Sequence, residues 1–126
     1  MIIFLILLFL TQEILKKEIS GNHEISVICP QTITDSLEFT ISFSAVTESE
    51  YIENIDIVLL VDEERKEKLS ITRKNYQMNN NFKKDLKIKL ESGQVENMSN
   101  ILIKFTSRDK YGQIAKTSCT AQFISS

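Results

Sequence analysis

The sequence predicts an all-β fold, a sandwich of about seven antiparallel strands, and three observations carry that prediction. From Glu24 onward, apolar and polar residues alternate in short runs, the period of a half-buried strand. The runs recur every 10 to 15 residues or so, and no long helical segment follows residue 20. Cys29 and Cys119 each fall on the apolar face of their run, so both thiols point into one core.

Ahead of the first strand, Ile2 to Leu10 are nine apolar residues, and "TQEILKKEIS" then turns polar and charged. A bilayer takes about 20 such residues, so nine fit the apolar core of a secretory signal peptide and not a membrane span. The expected organisation is a signal-peptide helix within residues 1–21, cleaved after Gly21, and one domain over 22–126, roughly 105 residues. His23 then lies in a solvated linker between the two.

The strands, lettered A to G, follow in order. A covers Glu24–Pro30, where Ile25, Val27 and Cys29 share a face and Pro30 ends the run. B covers Ser36–Ala45, with Leu37, Phe39, Ile41, Phe43 and Ala45 on one face and Glu38, Thr40, Ser42 and Ser44 on the other. C, Asn54–Asp62, is apolar on both faces through Val58 and Leu60, as in a central strand whose second face is covered. The alternative is that Val58 and Leu60 form an exposed contact patch. D covers Lys66–Arg73, E Phe82–Leu90, F Asn100–Ser107 and G Gln113–Phe123, the last placing Cys119 with Ala121 and Phe123.

The compartment follows from the leader and the cysteines together. In an oxidising compartment an even pair of cysteines favours a Cys29–Cys119 disulfide, and the two lie at similar heights if successive strands reverse. A loop of this length is worth about 4.5 kcal/mol in the chain-entropy model. "NMS" makes Asn97 a glycosylation acceptor. The expected protein is therefore secreted or extracellular and disulfide-bonded, a glycoprotein if Asn97 is used, and it meets membrane only through an uncleaved N-terminal segment.

This pattern resembles the immunoglobulin-like sandwich superfamily in the broad sense that includes fibronectin type III, cadherin-like and surface-repeat domains. The resemblance covers about residues 24–124 and is carried best by "SNILIKFTSRDKYGQIAKTSCTAQF", which looks like an F strand, a D-x-x-G turn and a G strand. The chain has no tryptophan and no tyrosine two residues before a strand-F cysteine, so it departs from antibody-type domains. "VTESEYIEN" and "NYQMNNNF" lack the Asn-Pro-Thr-Thr-Gly loop of chagasin-like peptidase inhibitors, and Asp62, Glu63 and Glu64 stand without the paired acidic motifs of cadherin-like calcium sites.

Composition leaves few chemistries open. A net charge of −2 gives no basic surface for nucleic acid. One histidine and two distant cysteines offer neither a catalytic triad nor zinc-ligand spacing, so no enzyme activity, cofactor or metal is expected. The acidic run at Asp62 reads as a charged hairpin tip.

Topology then sorts the tyrosines. With reversing strands, connections B–C, D–E and F–G share one end and hold Tyr51, Tyr76 and Tyr111, while Asn97 lies at the other end. Tyr51, Tyr76, Tyr111, Arg108 and Asp109 are the candidate binding residues, because tyrosine beside arginine and asparagine is the composition of binding loops. In the F–G turn "RDKYGQ", Gly112 relaxes the backbone and Asp109 suits hydrogen bonding across the bend. The function expected is non-enzymatic recognition or adhesion through this end, with a protein or glycan as partner. The alternatives are a small secreted inhibitor or effector of a hydrolase, and a lipid carrier with a cavity between its sheets.

Overall fold

Alternation buries one side of each strand, and two such sheets closing on each other give the core. The computed structural model describes residues 13–34 and 36–125. Its strands are β1 (Glu13–Ser20), β2 (His23–Pro30), β3 (Thr32–Ile33), β4 (Glu38–Thr47), β5 (Ile52–Val61), β6 (Glu64–Thr72), β7 (Asn81–Lys89), β8 (Asn100–Asp109) and β9 (Ile114–Phe123). One helical turn, α1 (Arg73–Tyr76), joins β6 to β7, and a 3-10 turn at Ser92–Gln94 follows β7.

One sheet runs β1-β2-β4-β7 and the other β3-β9-β8-β5-β6. Every pairing is antiparallel except the two-residue contact of β3 with β9. Strands A to G correspond to β2, β4, β5, β6, β7, β8 and β9, and the whole is an all-β sandwich of the broad immunoglobulin-like kind. Strand D, as β6, pairs with β5 and so joins the sheet of β8 and β9, leaving β7 beside β4. Between the sheets lie Ile25, Val27, Ile41, Phe43, Ile55, Ile103 and Phe105, with the Phe43 and Phe105 ring centroids 5.3 Å apart.

Cys29 and Cys119 form a disulfide that links β2 of one sheet to β9 of the other, with Cα atoms 6.4 Å apart, inside the range such a bridge accepts. Both residues are buried, as the face assignment of each strand required.

Several expectations change. Ile2 to Leu10, the apolar core expected of the signal-peptide helix, fall outside the described residues. Glu13–Ser20, within the same expected leader, pair along β2 from Glu13 opposite Pro30 to Ser20 opposite His23, and Gly21 makes the turn at φ +60. His23 is no linker residue: it opens β2 with no exposed surface. Val58 and Leu60 have no third layer over them among the described residues. They are half-buried, Val58 between Lys68 and Lys104 across the sheet and Leu60 between Arg65 and Leu102, whose long apolar stems suit that position.

The β5–β6 hairpin turns on Asp62 (φ 49) and Glu63 (φ 72), both positive as a two-residue hairpin of matching twist demands. Asp62 supports that backbone from its own side chain. Its carboxylate accepts from the Asn100 N–H and the Ser99 hydroxyl, each at 2.9 Å, and these bonds hold it below the usual carboxylate range. The tip is therefore a latched hairpin, and among the described residues no three acidic, histidine or cysteine side chains gather as a metal would need.

Candidate functional site at the tyrosine-bearing end

The β4–β5, β6–β7 and β8–β9 connections meet at one end and are tied by backbone hydrogen bonds. Ile52 N–H donates to the Asn79 carbonyl at 3.0 Å, Thr47 N–H to Asn80 at 2.9 Å and Lys110 N–H to Tyr51 at 3.1 Å. Tyr51 and Tyr111 thus sit on neighbouring connections, and Tyr76 closes α1 between them in the chain, although its side chain lies outside what is described.

The side chains give this end its chemistry. The Arg73 guanidinium lies 4.0 Å from the centre of the Tyr51 ring, a cation–π stack between the first residue of α1 and the β4–β5 connection. Lys110 Nζ stands 5.8 Å from the Tyr51 ring centre and 5.5 Å from that of Tyr111, and it donates to Glu50 Oε2 at 2.9 Å. That hydrogen bond and the paired charges raise the Lys110 ammonium above its usual value and lower the Glu50 carboxyl. Beside them opens a concavity of about 570 Å³ lined by Tyr51, Arg73, Lys74, Gln77, Met78 and Asn79. Tyr111 projects beyond it, 71% exposed.

Asp109 works beneath this surface. It is 1% exposed, and Oδ1 accepts from the N–H of Tyr111 at 3.0 Å and of Gln113 at 2.9 Å, closing the turn in which Gly112 takes φ +82. Oδ2 accepts from the Thr47 hydroxyl at 3.1 Å. Thr47 Oγ1 in turn accepts from Ser49 N–H at 3.2 Å, and the Ser49 hydroxyl reaches the Tyr51 carbonyl at 3.4 Å. Burial pushes the Asp109 carboxyl up, but these donors, led by the Gln113 N–H and the Thr47 hydroxyl, outweigh it and leave it below the ordinary range. With its oxygens spent inward, Asp109 positions Tyr111 and leaves the surface to its neighbours. Arg108 is exposed on β8, opposite Asn54 and Ile114.

Sequence reading missed two members of this end. Arg73 reads locally as the last residue of a strand, and Glu50 as loop polarity; each acquires its partner only when the connections meet. His23 supports the same end from below. Its Nδ1 lies 3.1 Å from the Gln113 carbonyl, which can only accept, so Nδ1 carries a proton and in the neutral ring Nε2 accepts from the Ser107 hydroxyl at 2.8 Å.

At the opposite end Asn97 is exposed and its Oδ1 accepts from Ser125 N–H at 3.0 Å. The buried Ser99 hydroxyl joins Asp62 and the Glu96 N–H.

No family model matches the chain, and no curated protein does. Among solved structures it is similar to the CARDB domain of a Pyrococcus furiosus protein, crystallised in complex with di-metal ions, at 7% identity and a TM-score of 0.46 over 90% of this chain and 96% of that one.

Proposed function

We propose that the chain is a secreted or cell-surface recognition domain, without catalytic activity, that binds a protein or glycan through the β4–β5, β6–β7 and β8–β9 connections. The observation that carries this reading is the linked set Arg73–Tyr51–Lys110–Tyr111, two aromatic rings and two cations on three connections fixed to one another by backbone hydrogen bonds. Rigid aromatic faces beside cations supply contact area at little entropic cost, and they suit both a protein surface and the apolar face of a sugar. The absence of catalysis is supported by His23, whose two ring nitrogens are engaged in the interior and which offers no proton acceptor to a surface substrate.

The test is a screen of glycan and extracellular-protein arrays with the wild-type chain and a variant carrying Tyr51→Ala, Tyr76→Ala and Tyr111→Ala. Each truncated anchor is expected to cost about tenfold or more in affinity for a wild-type hit. A partner that the folded triple variant binds as well as wild type overturns the proposal.

A further inference from the structure

The chain's net charge of −2 is unevenly placed over the two sheets. On the outer face of the β1-β2-β4-β7 sheet, lysines meet carboxylates: Lys17 pairs with Glu24 at 3.0 Å and Lys87 with Glu38 at 2.9 Å. The outer face of the other sheet differs. Lys68 on β6, Lys104 and Arg108 on β8 and Lys116 on β9 stand on it, all exposed, and none is in an ion pair among the described residues.

Over β8 and β9 this face holds an open groove of about 640 Å³. Lys104 lies opposite Ser118 and Lys116 opposite Thr106, so the two lysines are diagonal neighbours, their backbones roughly 7 to 8 Å apart. β1 flanks β9 and adds Lys16 and Glu18 to the wall. The hydroxyls of Thr106, Ser118 and Thr120 line the same groove. Three lysines therefore face one carboxylate there, and Asp56, opposite Thr106 on β5, already accepts from the Ser70 hydroxyl at 2.7 Å.

We infer that this groove binds a sulfated polysaccharide, Lys16, Lys104 and Lys116 holding its sulfates and Thr106, Ser118 and Thr120 hydrogen-bonding its hydroxyls. Unpaired cations gathered on one face of a chain of net negative charge are complementary to a polyanion. The backbones of β5 and β8 are paired on both sides and β1 flanks β9, so the groove offers an acidic peptide no edge to join. No aromatic ring points outward from β5, β6, β8 or β9, so nucleotide bases find nothing to stack on. A sulfated sugar chain needs neither, because its charges are its outermost groups, and Lys68 lets a longer chain continue across the sheet. The groove shares no residue with the Tyr51–Arg73 concavity, so the two proposals stand or fall separately.

The experiment titrates the full chain with a heparin-derived oligosaccharide, its unsulfated counterpart, a polyglutamate peptide and a single-stranded oligonucleotide of matched charge. The sulfated oligosaccharide is expected to bind, to weaken as salt rises, and to protect Lys16, Lys104 and Lys116 from acetylation in the wild-type chain. The other three probes are expected to bind at least about tenfold more weakly. Lys104→Glu with Lys116→Glu should cost about tenfold or more in a chain of unchanged melting temperature. Lys83→Glu with Lys89→Glu makes the same change of charge on the outer face of β7 and should leave the affinity within about threefold of wild type. Equal losses from the two pairs would reduce the effect to net charge and overturn the site. So would no binding of the sulfated oligosaccharide, equal binding of any other probe, or protection that spares Lys104 and Lys116.

Discussion

The Arg73 guanidinium stacks 4.0 Å from the centre of the Tyr51 ring, and through that contact α1 and the β4–β5 connection share one surface. A cation over an aromatic face at an exposed site is worth about 0.5 to 1 kcal/mol. A double-mutant cycle of Tyr51→Ala and Arg73→Ala, followed by chemical denaturation, is expected to return a coupling of that size. Additive single effects would show that the two side chains do not sense each other in solution.

Asp109 gives the F–G turn its pH dependence. Its carboxyl is held below the ordinary value in the folded state, so the stability it contributes is present above the unfolded value, about 4, and is lost as pH falls through the folded one. Asp109→Asn keeps the shape but weakens acceptance from Tyr111 N–H, Gln113 N–H and Thr47. It is expected to cost about 1 to 3 kcal/mol at pH 7 and less at pH 3. A stability difference that does not shrink on acidification would contradict this account.

His23 fixes strand β2 to the β8–β9 pair. His23→Ala leaves the buried Ser107 hydroxyl and the Gln113 carbonyl without their ring partner and is expected to destabilise the fold by about 1 to 3 kcal/mol. Ser107→Ala in the same chain removes one orphaned group, so the double variant should fall short of the summed single losses. Denaturation midpoints of the four chains measure this.

These residues also show where the sequence was legible. In "SLEFTISFSA" every second side chain from Phe39 to Ala45 is buried, because a period of 2 is a local property that needs no knowledge of the partner strand. The disulfide was legible for the same reason, since each cysteine sits in phase with its own apolar face. His23 was not: polar residues are usually solvated, and its partners come from positions 107 and 113, far along the chain. Arg73 was hidden likewise, and so was the sheet that β6 would join, since alternation fixes which face is buried and is silent on which neighbour pairs. The one end shared by three connections followed from strand reversal alone, whereas the inward use of Asp109 required Thr47 to arrive from another strand.

Strand β1 yields a prediction that separates pairing from burial. Its described side chains, Leu15 to Ile19, are all exposed, with Leu15 at 61% and Ile19 at 63%, so the strand adds a ladder of backbone hydrogen bonds and little apolar burial. Each such bond is worth about 0.5 to 1.5 kcal/mol net, and ordering each residue's backbone costs about 1 to 2 kcal/mol, so the two nearly cancel. A chain beginning at Asn22, as cleavage after Gly21 would leave it, should therefore fold with a stability within about 2 kcal/mol of one beginning at Glu13. It should differ in association, because without β1 the edge of β2 from His23 to Pro30 is open to another chain. Sedimentation of the two forms is expected to show the shorter one self-associating at concentrations where the longer is monomeric. Failure of the shorter form to fold would instead make β1 an integral strand of the domain.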